Sequence, residues 1–277
     1  MENIIIIGRP NSGKTHYFGQ LYGRISDGEA CLKLNPRHQL PKDISLLEDV
    51  LTKLANGKTA GHTPTDTWGK ISLPVIDENG NEYLISLPDY AGEQITQIFS
   101  SRSLKEHWID SLNQSKHWVV LIRLNSEKTF FNDRGLMKDS KQNNESGTIE
   151  EWDANAFWIE IFQILLYYSG IGLKNKVSIP KLTILLSCYD EIEKENTTPE
   201  QALEEKLPLF YKFLQSNWQS TSINIWGLSS LGCTLGTPEH EDEFINLGPE
   251  KHGWVVAPQT FEHQSDLTLP IYWLINK

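Results

Sequence analysis

The sequence predicts an α/β fold with a mostly parallel central sheet and helices on both faces. First, Ile4, Ile5, Ile6 and Ile7 form a β-branched run without polar alternation, the pattern of a short strand buried on both sides. Second, a glycine-rich turn follows at once and leads into Phe18, Leu21, Tyr22 and Ile25 near helical spacing. Third, apolar runs of strand length at 118–124 and 182–186 alternate with helical stretches, the order of a doubly wound sheet. At 277 residues, 39% hydrophobic and 22% charged, the chain fits one such domain carrying insertions and can fill a core.

The opening strand and a helix from 14 to about 24 are followed by a second helix at about 45–56. Its stop at Gly57 suits a left-handed C-terminal residue. Residues 58–67 read as a polar loop. Residues 71–76 and 82–87 flank Asp77-Glu78-Asn79-Gly80-Asn81, whose Asn-Gly signal makes the pair a β-hairpin. Further helices are expected at 104–113, 152–169 and 199–217, the last behind Thr197 and Thr198 as N-caps, with a weaker strand at 223–228. A polar insertion at about 126–150 reads as a loop or as an ordered lid or partner surface. A C-terminal extension at about 233–277 completes a single domain spanning 1–277.

Charge narrows the partners. With 25 Lys and Arg against 36 Asp and Glu the formal charge is −11, so the average field repels nucleic acid and anionic lipid, and neither is expected as a partner. Cys31, Cys188 and Cys233 make neither an even disulfide set nor a zinc pattern, and eight histidines show no ligand spacing. No stretch reaches the ~18 apolar residues of a membrane span, and the expected location is cytoplasmic. The nine tryptophans are expected in packing rather than ligand stacking.

Gly8-Arg9-Pro10-Asn11-Ser12-Gly13-Lys14-Thr15 fits G-x-x-x-x-G-K-[ST] in full. In such a P-loop, backbone N–H groups from residues such as Asn11, Ser12, Gly13 and His16 surround a β-phosphate. Lys14 reaches the β and γ oxygens, and Thr15 ligates Mg²⁺. Pro88-Asp89-Tyr90-Ala91-Gly92-Glu93 has the D-x-x-G form after a strand: Asp89 can hold Mg²⁺ through water and Gly92 can approach a γ-phosphate. In the preceding loop Thr63 is the first choice for a ligand to metal, with Thr65 and Thr67 as alternatives. Asp190, ending Ser187-Cys188-Tyr189-Asp190, can accept hydrogen bonds from guanine N1–H and its exocyclic amine, and Ser230 can place an N–H against the guanine carbonyl.

In this order the motifs resemble those of Ras-like GTPases of the translation-factor-related (TRAFAC) class, over about 4–231. Within that class GRPNSGKTHYFGQLYGRI near the start and DLTLPIYWLI near the end are similar to the bacterial double-GTPase family of conflict and defence systems. The resemblance implies a P-loop NTPase fold of the Ras-like G-domain type. It also implies GTP and GDP as ligands, Mg²⁺ as cofactor, a protein effector or activating partner, and a defence role. Asn11 resembles the P-loop asparagine of bacterial GTPases that bind K⁺ in place of an arginine finger.

Two departures bear on chemistry. The class has Asn-Lys-x-Asp where this chain has Ser187 and Cys188, losing the residues that brace the loop and pack on the base. The class also has Gln after the D-x-x-G glycine, where Glu93 stands here and Gln94 follows. The expected function is a GTP-hydrolysing switch in which residues 58–67 and 92–103 order around GTP and release after hydrolysis. Lys14, Thr63, Gly92 and Glu93 are its catalytic candidates. A P-loop ATPase or kinase, and a nucleotide-holding scaffold with little turnover, remain the alternatives.

Overall fold

A computed structural model describes residues 1–28, 30–38, 44–59, 71–87, 93–130, 152–172, 174–233 and 238–276. The first half runs β1 (Glu2–Gly8), α1 (Lys14–Asp27), β2 (Lys33–Leu34), α2 (Ser45–Ala55), β3 (Ile71–Ile76), β4 (Glu82–Leu87), α3 (Glu93–Ser101), α4 (Glu106–Gln114) and β5 (Ser115–Ile122). The second half runs α5 (Ala154–Tyr168), β6 (Lys181–Ser187), α6 (Pro199–Lys206), α7 (Pro208–Asn217), β7 (Ile223–Ser229), α8 (Pro238–Leu247), β8 (Trp254–Val256), β9 (His263–Gln264) and α9 (Leu269–Asn276).

Among the described residues the strands form one sheet in the order β2-β3-β4-β1-β5-β6-β7-β8-β9. The five central strands from β4 to β7 are parallel, and antiparallel strands finish both edges. β1 shows why an unalternated run belongs in the middle. Ile5 and Ile7 enter one hydrophobic cluster and Ile4 and Ile6 the other, so both pleat faces are dry. β5 divides likewise, with Trp118, Val120 and Ile122 on one side and Val119 and Leu121 on the other. Residues of α3 to α7 cover the first face, and those of α1, α2 and α9 the second. This is the Ras-like G-domain arrangement expected from the sequence.

The hairpin forms as expected, with Gly80 at φ 78° in its turn, and α2 is followed by Gly57 at φ 67°. The helix expected at 199–217 is instead two helices. Pro208 has no N–H to donate and disfavours helical backbone at Leu207, which sits at φ −128°, ψ 63°. Asn155 Oδ1 then accepts the Leu209 and Phe210 N–H groups (3.0 and 3.1 Å) and satisfies the start of the new helix. The C-terminal segment does more than extend the chain: β8 and β9 continue the sheet beyond β7, and Tyr17 Oη in α1 donates to the Leu267 carbonyl (3.1 Å). Trp108, Trp118, Trp158 and Trp218 are fully buried, as packing requires.

Candidate functional site

The site is built on the carboxyl ends of the parallel strands, where open α/β sheets bind ligands. β1 ends at Gly8, and its register pairs Gly8 with Leu121 of β5. A Cβ at Gly8 would stand 2.6 Å from Ser12 Oγ and 3.1 Å from the Leu121 carbonyl, so a larger residue here would have to displace the Ser12 hydroxyl and press on β5. The backbone then takes left-handed conformations at Asn11 (φ 61°) and Gly13 (φ 76°), which turns it back over the start of α1. Gly13 caps α1 without a side-chain partner, and the first turn carries no acidic residue, so the positive end of the helix is not offset by a local carboxylate.

Lys14 lies back across this loop. Its Nζ donates to the carbonyls of Gly8 (2.8 Å) and Arg9 (2.7 Å) and lies 3.5 Å from Ser12 Oγ. Ser12 and Lys14 are buried, Asn11 is exposed, and Thr15 and His16 are half-buried. Thr15, in the first turn of α1, carries the hydroxyl that the motif assigns to a cation. Burial holds the His16 imidazole below its usual pKa and favours the neutral ring.

Arg9 is anchored at a distance. Its guanidinium pairs with Glu127 (2.9 Å) just beyond β5 and lies 4.4 Å over the Phe157 ring of α5. Burial pushes the Glu127 carboxyl above its usual pKa, and Arg9 pulls it partly back.

Two other strand ends bring in the base-reading candidates. Beyond β6 the chain passes through Cys188 in the left-handed region (φ 50°) into a 3₁₀ turn, Tyr189–Glu191, that holds Asp190. Ser187 Cβ and Cys188 Sγ lie 3.9 and 4.0 Å from where a Cβ on Gly13 would stand, so this turn adjoins the P-loop. Tyr189 is buried against Gly227 of β7, where an added Cβ would meet the ring at 2.7 Å. Beyond β7, the Gly232 N–H donates to Ser229 Oγ (3.0 Å) and closes the turn that contains Ser230.

The family model described as Double-GTPase 1 matches residues 5–274. The chain belongs to the Double-GTPase 1 family. No curated protein matches it. Among solved structures it is similar to a bacterial selenocysteine-specific elongation factor EF-Sec (10% identity, TM-score 0.36), covering 83% of this chain but 26% of that one. It is also similar to the SRb-GTP/SRX signal recognition particle receptor complex of Chaetomium thermophilum (12% identity, TM-score 0.38; 90% and 97% covered). A third is the S. cerevisiae Ski7 GTPase-like domain bound to GDP and inorganic phosphate (15% identity, TM-score 0.42; 89% and 49% covered).

Membership makes this Double-GTPase 1 chain a GTP-binding protein of a GTPase family, and the loop from Gly8 to Thr15 is its candidate phosphate site. The structure brings Asn11, Ser12, Gly13, Lys14, Thr15 and His16 together, and it sets Asp190 and Ser230 at the same sheet edge. Thr63, Thr65, Thr67, Asp89 and Gly92 lie outside the described residues, as does the Glu93 side chain. Part of the stretch expected to order around nucleotide is the helix α3. There Gln94 Oε1 accepts the Trp108 indole N–H (2.6 Å) and lies 3.2 Å from the His107 ring of α4. Sequence reasoning passed over Arg9, Arg123, Glu127 and Glu191. Arg9 occupied a variable position of the motif, and each partner lies 68 or 118 residues away.

Proposed function

We propose that this chain is a cytoplasmic, single-domain GTP-binding switch, spanning 1–277, that hydrolyses GTP to GDP with Mg²⁺. The observation that carries the reading is the cradle itself: left-handed backbone at Asn11 and Gly13, an uncompensated helix start, and Lys14 held across the loop by its carbonyls. A triphosphate offers Lys14 charged oxygens in place of neutral carbonyls, a stronger class of hydrogen bond. In the reaction a water oxygen bonds to the γ-phosphorus while the bond to the β–γ bridging oxygen breaks; that oxygen leaves with the electron pair on GDP, and of the water's two protons one stays on the phosphate and the other passes to solvent. Lys14 and the loop amides stabilise charge on the β and γ oxygens as it shifts.

Thr15 supplies one oxygen to Mg²⁺, an ion that keeps several waters and uses few protein ligands. When bound, Mg²⁺ neutralises charge on the β and γ oxygens. Thr63, with Thr65 and Thr67 as alternatives, completes the switch side. Asp89 would hold the metal through water, Gly92 would approach the γ-phosphate, and Glu93 would stand in the position the class gives to glutamine. Asp190 accepts from guanine, and Ser230 donates its N–H to the guanine carbonyl.

A protein effector or activator reads the two states. Family resemblance is the support for that partner and for a bacterial defence setting. The left-handed backbone at Asn11 gives asparagine a structural reason to be there, and K⁺ at its exposed amide is a further proposal.

A second reading is a nucleotide-dependent scaffold with little turnover. It is favoured by Glu93 standing where the class has glutamine, and by Gln94, the next residue, being held by Trp108 of α4. Competition of GTP and ATP for one labelled nucleotide, paired with phosphate release in K⁺ and in Na⁺ at equal ionic strength, tests both. The switch predicts that GTP displaces the label at lower concentration than ATP and that phosphate is released, faster in K⁺. Equal displacement removes the guanine assignment, absent release favours the scaffold, and equal rates in the two salts remove K⁺.

A further inference from the structure

The turn that holds Asp190 lacks the bracing side chains of related GTPases, yet it is tied down from two sides. Ser187 Oγ is buried and makes no hydrogen bond among the described residues, so the residue in the family's asparagine position contributes no brace here. One residue past Asp190, Glu191 takes over that task. Arg123, the first residue beyond β5, donates through Nε to Glu191 Oε2 (3.1 Å) and through Nη2 to Glu191 Oε1 in a two-pronged pair, and Asn125 Nδ2 donates to the same carboxylate (3.2 Å). The pair is mostly shielded, with side-chain exposures of 34% for Arg123 and 17% for Glu191. Two residues further on, Glu193 bonds the His263 ring of β9 (2.8 Å), and that ring stacks on Trp254 of β8 at 3.6 Å. Beneath the turn, Tyr189 rests on Gly227 and its hydroxyl donates to the Thr197 carbonyl (3.3 Å).

We propose that Arg123 is a positioning residue for base recognition, fixing the Asp190 turn through Glu191 in place of the brace this motif has lost. The inference rests on the reading that Asp190 faces guanine. A carboxylate that must accept two parallel hydrogen bonds needs its backbone held, because a small displacement weakens both at once. Anchoring the neighbouring residue to the adjacent strand end supplies that rigidity without using atoms that face the ligand.

Affinities for GDP, ADP and xanthosine diphosphate, measured with Mg²⁺ on the full chain, test it in wild type, Arg123→Met, Glu191→Gln and Asp190→Asn. Glu191→Gln keeps the side chain's shape and serves if Arg123→Met fails to fold. Both variants are expected to lower the GDP-to-ADP preference about 10-fold, the scale of one lost charged hydrogen bond, while ADP affinity stays within about 2-fold. A charge-swapped Arg123→Glu/Glu191→Arg double variant should recover part of the preference. Asp190→Asn should move preference towards xanthosine diphosphate, because an amide can donate to the xanthine 2-carbonyl. If Asp190→Asn shifts the base while Arg123→Met and Glu191→Gln leave the ratio unchanged, or lower GDP and ADP affinity together, the positioning role is wrong and the reading of Asp190 stands. If Asp190→Asn shifts nothing, both fall.

Discussion

Glu127 is a carboxylate almost wholly out of water, with 2% of its side chain exposed, and its partner Arg9 belongs to the phosphate loop itself. The carbonyl of the same Arg9 accepts from Lys14, so an ion pair and the lysine of the P-loop motif meet on one residue. Burial sets the Glu127 carboxyl above its ordinary 4.5, and Arg9 opposes that shift. An acid raised in the folded state contributes stability that is fully present below its unfolded pKa and is lost as pH rises through the folded one. Arg9→Met removes the opposing charge and raises the carboxyl further. Relative to wild type, the variant should therefore be nearly unaffected below about pH 4.5 and destabilised by about 1–2 kcal/mol at neutral pH, discounted because Arg9 is partly exposed. Denaturant unfolding of both proteins across pH 4 to 8 measures this, and a pH-independent difference would count against it. Lys14 was legible in the sequence because chemistry fixes its spacing. The Arg9–Glu127 pair was not, since nothing local joins residues 118 positions apart.

At the scale of elements, α1 carries the phosphate loop at one end and packs on α2 through a glycine. A Cβ on Gly19 would stand 2.6 Å from Val50 Cγ1, so the helices approach more closely than alanine permits. Gly19→Ala should cost about 1–3 kcal/mol in urea unfolding, the usual range for overpacking a closed contact, although alanine is the better helix former. A gain in stability would mean the helices are not in register as described. The elements that were legible are those long enough to show a continuous apolar run, a helical period or a turn signal: β1, the β3–β4 hairpin, β5, β6, α1 and α5. The two-residue strands β2 and β9 and three-residue β8 are too short to show alternation, and they form because neighbouring edges pair with them. The break between α6 and α7 was written in Pro208, but amphipathic spacing ran through it and masked the stop. The Asp190 turn was legible as a candidate, whereas its ties to β5 and β9 required the topology.

For the whole molecule, a chain of formal charge −11 binds a polyanion only where it concentrates donors, and the fold does this at one edge. Strand ends of β1, β6 and β7 bring the P-loop and the turns that hold Asp190 and Ser230 to the same rim, an arrangement no single segment dictates. β4 ends at the same rim with Leu87, because it runs parallel to β1. On the proposed reading, this rim holds guanine nucleotide through Lys14 and the amides beside it. Calorimetric titration of GTP and GDP into wild type and Lys14→Ala, with Mg²⁺ and with chelator, tests it most directly. Wild type should bind GTP in a metal-dependent manner and Lys14→Ala at least about 100-fold more weakly, the loss of charged hydrogen bonds to phosphate in a shielded loop. Equal affinity in the two proteins, or wild-type binding indifferent to metal, would contradict it.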